Sequence, residues 1–148
     1  MALAKKILNV MKACRKLTYD AKNDEVGYKY VSAAKVNAAV NAALVDNGII
    51  CLPNVKINDL RTVETSGGKE NLATVEVELT LVDVDGDERF LIRGIGQGID
   101  AGDKAVAKAQ TMAIKYAWKM ALLIADSSDD PDANKNTFAY RSKAKIPF

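Results

Sequence analysis

The sequence predicts an α+β fold. An antiparallel three-stranded β-meander is packed by a long C-terminal helix, a β-β-β-α core, and two further helices precede it. Three observations carry this. Leu72 to Val84 alternates, with Val75, Val77, Leu79 and Leu81 set against Glu76, Glu78 and Thr80, the period of a half-buried strand. Ser66-Gly67-Gly68-Lys69 and Asp85-Gly86 supply turn chemistry on either side of it, so the flanking runs return antiparallel. Outside this block, apolar residues recur at steps of three and four, the period of a helix.

The first helix is expected from Ala2 to about Leu17, where Leu3, Ile7, Val10, Cys14 and Leu17 make the apolar stripe. The polar stretch Thr18 to Gly27 breaks that pattern, and Tyr28-Lys29-Tyr30-Val31 reads as a short strand. Ser32 can cap a second helix, whose Ala34, Val36, Ala39, Val40, Ala43 and Leu44 support burial and whose Gly48 suits the position just past its end. The strand block then opens with Ile49 to Leu52, followed by Pro53 and by Val55 to Thr65. The third strand is expected from Arg89 to Gly96, with Phe90 and Ile92 on one face and Leu91 and Arg93 on the other.

The last helix is expected from Asp103, read as its N-cap, to about Ile124. At about 100° per residue, Lys104, Lys108, Thr111, Lys115 and Lys119 fall within an arc of about 80°. Val106, Ala109, Ala113, Ala117, Met120, Ala121 and Ile124 lie opposite, so the wheel pairs an apolar face with a lysine stripe. Ser127 to Asp132 stops the helix, which makes residues 1–132 one domain and 133–148 a mixed-charge tail.

Length and composition bound the rest. A chain of 148 residues is one ordinary domain, and 49% apolar with 27% charged residues is a globular balance. No apolar run approaches the roughly 20 residues of a membrane helix. Lysines interrupt the N-terminal segment, so it is not expected to be a secretory signal. Two cysteines, Cys14 and Cys51, form no metal spacing and no disulfide framework, which fits a reducing compartment. There is no histidine, which removes Ser-His-Asp and Cys-His catalysis and His-ligated zinc. An enzyme here would run on carboxylates, lysines or tyrosines.

The net charge of +2 hides a strong segregation. Residues 1–45 carry eight basic side chains against three acidic, residues 46–103 five against twelve, and residues 104–119 four lysines with no acid. Without acids in 104–119, the stripe has none of the i,i+4 partners that solvated helix faces usually carry. Tyr116 and Trp118 flank it and offer rings to nucleic-acid bases, although core packing is the other fate open to Trp118. The arrangement points to phosphate contact; the alternative is an ordinary solvated face.

Other motifs resolve against their first appearance. Gly96 to Ala101 fits a dinucleotide-binding fingerprint, but antiparallel hairpins precede it and no parallel strand follows its helix. Asp83, Asp85, Asp87 and Glu88 have the carboxylate density of a calcium loop without its spacing, and sit on a hairpin turn. Gly98, Asp100, Gly102 and Asp103 are read as residues that shape the turn into the last helix.

The stretch Gly96-Gln97-Gly98-Ile99-Asp100-Ala101-Gly102-Asp103-Lys104-Ala105, continuing to Lys108-Ala109, Thr111, Ala113 and Lys115-Tyr116, resembles the signature of the ERF family of phage-type single-strand DNA annealing proteins. Asp129-Asp130-Pro131-Asp132 is similar to the segment after the same helix in that family. Tyr28-Lys29-Tyr30 with Val36, Val40, Leu44 and Gly48 is similar to its first helix and the approach to it. The resemblance covers roughly Val26 to Asp132. The chain departs from the family at Gln97, where an acid is common. Functions carried by a long C-terminal extension are expected to be absent or confined to Thr137–Phe148.

The resemblance implies side-by-side assembly into a ring or helical filament that holds single-stranded DNA in a shared basic groove. It implies annealing of complementary strands in homologous recombination without ATP, cofactor, metal or catalytic residues. An exonuclease or a single-strand-binding protein is an implied partner, and the cytoplasm, of a bacterial host if the chain is phage-encoded, the implied location. Lys104, Lys108, Lys115 and Lys119 are the expected phosphate contacts, with Lys29 and Arg93 secondary and Tyr116 a stacking partner. Two alternatives stand: a basic-faced scaffold module docking an acidic protein, and a metal-dependent nucleic-acid enzyme using Asp100, Asp103 and the Asp83–Asp87 turn.

Overall fold

A computed structural model describes residues 2–127. Three helices and an antiparallel three-stranded sheet form an α+β core, as the patterning predicts. Helix α1 runs Ala2–Ala13 and buries Leu3 and Val10. It stops short of Leu17, because Lys16–Thr18 forms a strand, β1, that pairs in parallel with β7, Ala125–Ser127. The Ala125 N–H donates to the Arg15 carbonyl at 3.0 Å. Leu17 is buried from a strand, a fate that its helical spacing from Cys14 conceals.

Part of the polar stretch Thr18–Gly27 also folds. Strands β2, Ala21–Lys22, and β3, Lys29–Tyr30, form a small antiparallel hairpin. Its turn is held by Asn23 Oδ1, which accepts from the Glu25 and Val26 N–H groups. Helix α2, Ala33–Asp46, is capped as expected: Ser32 Oγ accepts from the Lys35 N–H at 3.1 Å, and Gly48 lies just beyond with φ +65°.

The sheet has the order β4 (Ile49–Thr65), β5 (Gly68–Asp83), β6 (Arg89–Asp100). Strand β4 runs through Pro53 without a break, which an edge strand tolerates because the missing N–H need not serve the ladder. A bulge at Asn58 lies between Ile57 and Asp59. Strand β6 continues four residues past the expected Gly96.

Helix α3, Ala105–Ala121, packs on one face of the sheet. There β5 offers Ala73, Val75, Val77, Leu79 and Leu81, all buried. Strand β6 offers glycine at every inward position from 94 to 98. A Cβ on Gly96 would stand 2.3 Å from the Ala113 backbone nitrogen, and one on Gly98 2.5 Å from the Ala105 carbonyl oxygen. Ala105, Ala109, Ala113 and Ala117 face this row, so helix backbone rests almost directly on strand backbone. Gly98 is therefore a packing residue inside β6, not part of the turn into the helix. The helix ends three residues before the expected Ile124. Leu123 takes a left-handed φ of +51° and the Ile124 N–H returns to the Lys119 carbonyl at 3.1 Å, the bond of a Schellman ending.

Among the described residues the opposite sheet face carries no helix, and Leu91, Ile95 and Ile99 stand exposed on it. No helix among the described residues is long and apolar enough to cross a membrane. The expected boundary at 132, the tail from 133 and the Asp129–Asp132 segment lie outside the described residues.

Candidate nucleic-acid interface

The glycine row positions the site. By pulling α3 onto β6 it leaves a groove where the helix overhangs the free edge of the strand. Three adjoining hollows make up this groove. The first, about 740 Å³, is lined by Arg93, Ile95, Tyr116, Lys119 and Met120, with one acid, Glu76, among them. The middle one shares Ile95 and Tyr116 and adds Thr74, Gln97 and Met112. The last shares Gln97 and Met112 and ends at Ile99, Lys104, Lys108 and Thr111. Along β6 from Arg93 to Ile99 the groove is about 20 Å long. Cationic residues stand at both ends, with the half-exposed Tyr116 ring between them.

Five of the seven residues expected at a DNA contact line this groove: Lys104, Lys108, Lys119, Arg93 and Tyr116. Their charges are differently committed. Lys108 Nζ lies 2.8 Å from Asp100 Oδ1, Lys119 Nζ 2.5 Å from Asp126 Oδ2, and Arg93 Nε 3.2 Å from Glu78. Lys104 is exposed and its ammonium makes no ion pair among the described residues. Tertiary structure thus supplies Lys108 and Lys119 with the acids that the helix itself lacks.

Asp100 organises the turn at the head of α3. Its Oδ2 accepts from the Gly102 N–H at 2.9 Å and the Lys104 N–H at 3.1 Å, while Oδ1 takes the Lys108 ammonium. The Lys108 hydrogen bond and then the two backbone N–H groups hold its carboxyl down at about 2. The Gly102 carbonyl accepts from Asn71 on β5. Asp103 is not the cap: Lys104 occupies the N-cap position without a side-chain capping bond, and Asp103 is exposed. Asp100, at the end of β6, instead ties the turn leading into the helix through the Gly102 and Lys104 N–H groups.

The two remaining candidates lie elsewhere. Lys29 sits exposed on the β2–β3 hairpin, directly across from Lys22. Lys115, on the same stripe as its neighbours, is only 6% exposed. The β2–β3 hairpin and the helix turn have closed over it, and Nζ lies 5.1 Å from the centre of the Tyr30 ring. Burial, and then the charge of Lys119, push its pKa down, with Asp126 and Asp20 opposing. Trp118 takes the core alternative, 5% exposed and lining a cleft with Val40 and Leu44 of α2.

At the β5–β6 turn, the cation between the carboxylates is a lysine. Lys6 Nζ lies 2.6 Å from both Asp83 Oδ1 and Asp85 Oδ2, and so ties α1 to the turn. These bonds raise the Lys6 pKa and lower that of Asp83. No group of three metal-ligating side chains occurs among the described residues. Cys14 and Cys51 are both free thiols whose pKa values burial raises.

Sequence reasoning missed Gln97, Ile95 and Met112 as groove residues. For Ile95 and Gln97 the signal was present in the alternation of Gly94, Gly96 and Gly98 with Ile95, Gln97 and Ile99, which marks a strand with one backbone-packed face. A family model described as the ERF superfamily matches residues 3–147, reaching further in both directions than the local resemblance. No curated protein matches the chain.

Proposed function

The chain belongs to the ERF superfamily, which carries a general recombination and strand-annealing role; from that premise we propose that it binds single-stranded DNA along the β6–α3 groove. The observation that supports this reading is the gathering of Lys104, Lys108, Lys119, Arg93 and Tyr116 along one continuous edge. Phosphates meet cations at both ends, and Tyr116 gives a base a face to stack on. Such contacts are weakly sequence-specific and leave base edges free to pair with a second strand.

Lys108 and Lys119 exchange carboxylate partners for phosphates on binding. For the half-exposed Lys108 the exchange costs little; for Lys119 it costs more, because Asp126 has a buried, unpartnered Oδ1 and would lose its cation. No covalent bond is made or broken in annealing, so the function needs neither ATP nor a catalytic group. Side-by-side copies, in a ring or a filament, would join successive grooves into one track. Exposed Val55, Ile57 and Leu60 on outer β4, with Leu91 on the bare sheet face, give such copies apolar surface to bury away from the groove.

The test is a strand-annealing assay with two complementary dye-labelled oligonucleotides, without nucleotide or metal. The wild-type chain is expected to accelerate pairing well above the spontaneous rate. The double variant K104E/K119E, folded by circular dichroism, is expected to lose that acceleration and most single-strand affinity. Tight binding without acceleration would overturn annealing, and full activity in the double variant would overturn the groove.

A further inference from the structure

The stripe lysine that the fold buries has a different task from the others. Lys115 forms no hydrogen bond or ion pair with the described residues, although it is more than nine-tenths buried. The burial is of its stem: Nζ keeps some contact with solvent at the rim, beside aromatic rings. Its Nζ lies 5.1 Å from the Tyr30 ring centre and 5.9 Å from that of Tyr116, both within the roughly 6 Å over which ring faces attract a cation. Tyr30 belongs to the β2–β3 hairpin, whereas Tyr116 lines the groove. Tyr28 adds a second ring 5.9 Å from Tyr30 on the hairpin side.

We infer that Lys115 is a positioning residue. Its ammonium bridges the Tyr30 and Tyr116 rings, couples the β2–β3 hairpin to the groove, and holds Tyr116 as a fixed stacking platform for a nucleic-acid base. The inference rests on the proposed DNA-binding reading and adds a residue that works without touching DNA. It also separates two roles that the helical wheel merges. Lys104 neutralises phosphate, while Lys115 orders a ring.

The test measures single-strand affinity of the full chain across a salt series for K115M, K115R and Y116L, and for K115M combined with Y116L. K115M is expected to weaken binding about fivefold or more, the lower end of what one base–aromatic stack contributes. The slope of log K against log salt should stay unchanged. K115R, which keeps a cation between the rings, is expected to restore most of the affinity. In the Y116L background K115M should cost nothing further, whereas a merely structural lysine would weaken both backgrounds alike.

A slope reduced by about 0.7, the share of one phosphate on a single strand, would overturn the inference by making Lys115 a direct contact. Unchanged affinity in K115M, or additive losses with Y116L, would also overturn it. If the wild-type chain binds no DNA, the proposed function falls, and 3-fluorotyrosine labelling judges the bridge alone. K115M should then shift the ¹⁹F resonances of Tyr30 and Tyr116, assigned with Y30F and Y116F. Resonances that stay in place would remove the bridge.

Discussion

The two halves of α3 have the same lysine periodicity and different fates. In the first half Lys104 and Lys108 both reach an open groove, with Thr111 beside them. In the second half Lys115 is covered and Trp118 joins the core, while Lys119 still lines the groove, paired with Asp126. Nothing within the helix separates the halves, since residues 104–119 carry no acid anywhere. The difference comes from what arrives over each half. The outer face of the head of α3 meets only its own turn, whereas at the tail Tyr30 of the β2–β3 hairpin lies by Lys115, Asp126 of β7 pairs with Lys119, and α2 packs at Trp118. Helical spacing puts side chains on a common face, but distant segments decide which part of that face meets water.

The sharpest way to break the comparison is one charge reversal in each half. K115E puts a negative charge on a largely covered side chain near Asp20 and Asp126, and is expected to cost about 1–3 kcal/mol of stability. K104E changes an exposed position and should leave stability within about 0.5 kcal/mol while weakening DNA binding and flattening its salt dependence. Urea unfolding and a salt-series titration on the two variants give the answer. Equal stability losses would mean that the halves do not differ in burial.

A smaller effect sharpens the account of the open half. The Asp100 carboxyl is lowered from the usual 3.8 to about 2, so ionised Asp100 stabilises the folded chain. That contribution is complete above about pH 4 and is lost as pH falls through about 2. Melting temperature followed from pH 5 to pH 2 should therefore fall more steeply for the wild type than for D100N. Parallel curves would remove Asp100 as the residue that holds the turn.

The smallest effect belongs to the closed half. Leu123 holds a left-handed φ, which a residue with a Cβ adopts at a cost of roughly 1 kcal/mol. L123G relieves that strain and loosens the unfolded chain, so a gain below about 1 kcal/mol is expected from thermal unfolding. A clear loss would mean that the exposed Leu123 side chain contributes packing of its own.

Much of this fold is legible in the chain. The meander shows because Val75, Val77, Leu79 and Leu81 alternate and Asp85-Gly86 closes a turn. Helix α2 shows because Ser32 and Gly48 mark its ends with residues that have few other uses there. What stays hidden is non-local. Leu17 pairs alongside Asp126 across most of the chain, and no local spacing reports such a partner. For the site, the wheel locates the open lysines and cannot see the hairpin that covers Lys115. Asp103 and Asp100 are equally plausible holders of the turn until the end of β6 is known.

The glycine row under α3 also bears on how the groove responds to force. A seam between side chains holds small voids and adjusts by rotamer changes, so it yields a little under load. Where the helix backbone lies against Gly94, Gly96 and Gly98, no side-chain volume is left to compress and no rotamer to change. The distance between helix and strand is therefore set by the thickness of two main chains. A strand of DNA drawn along this edge would meet a wall that does not give, and successive nucleotides would be read against a constant width.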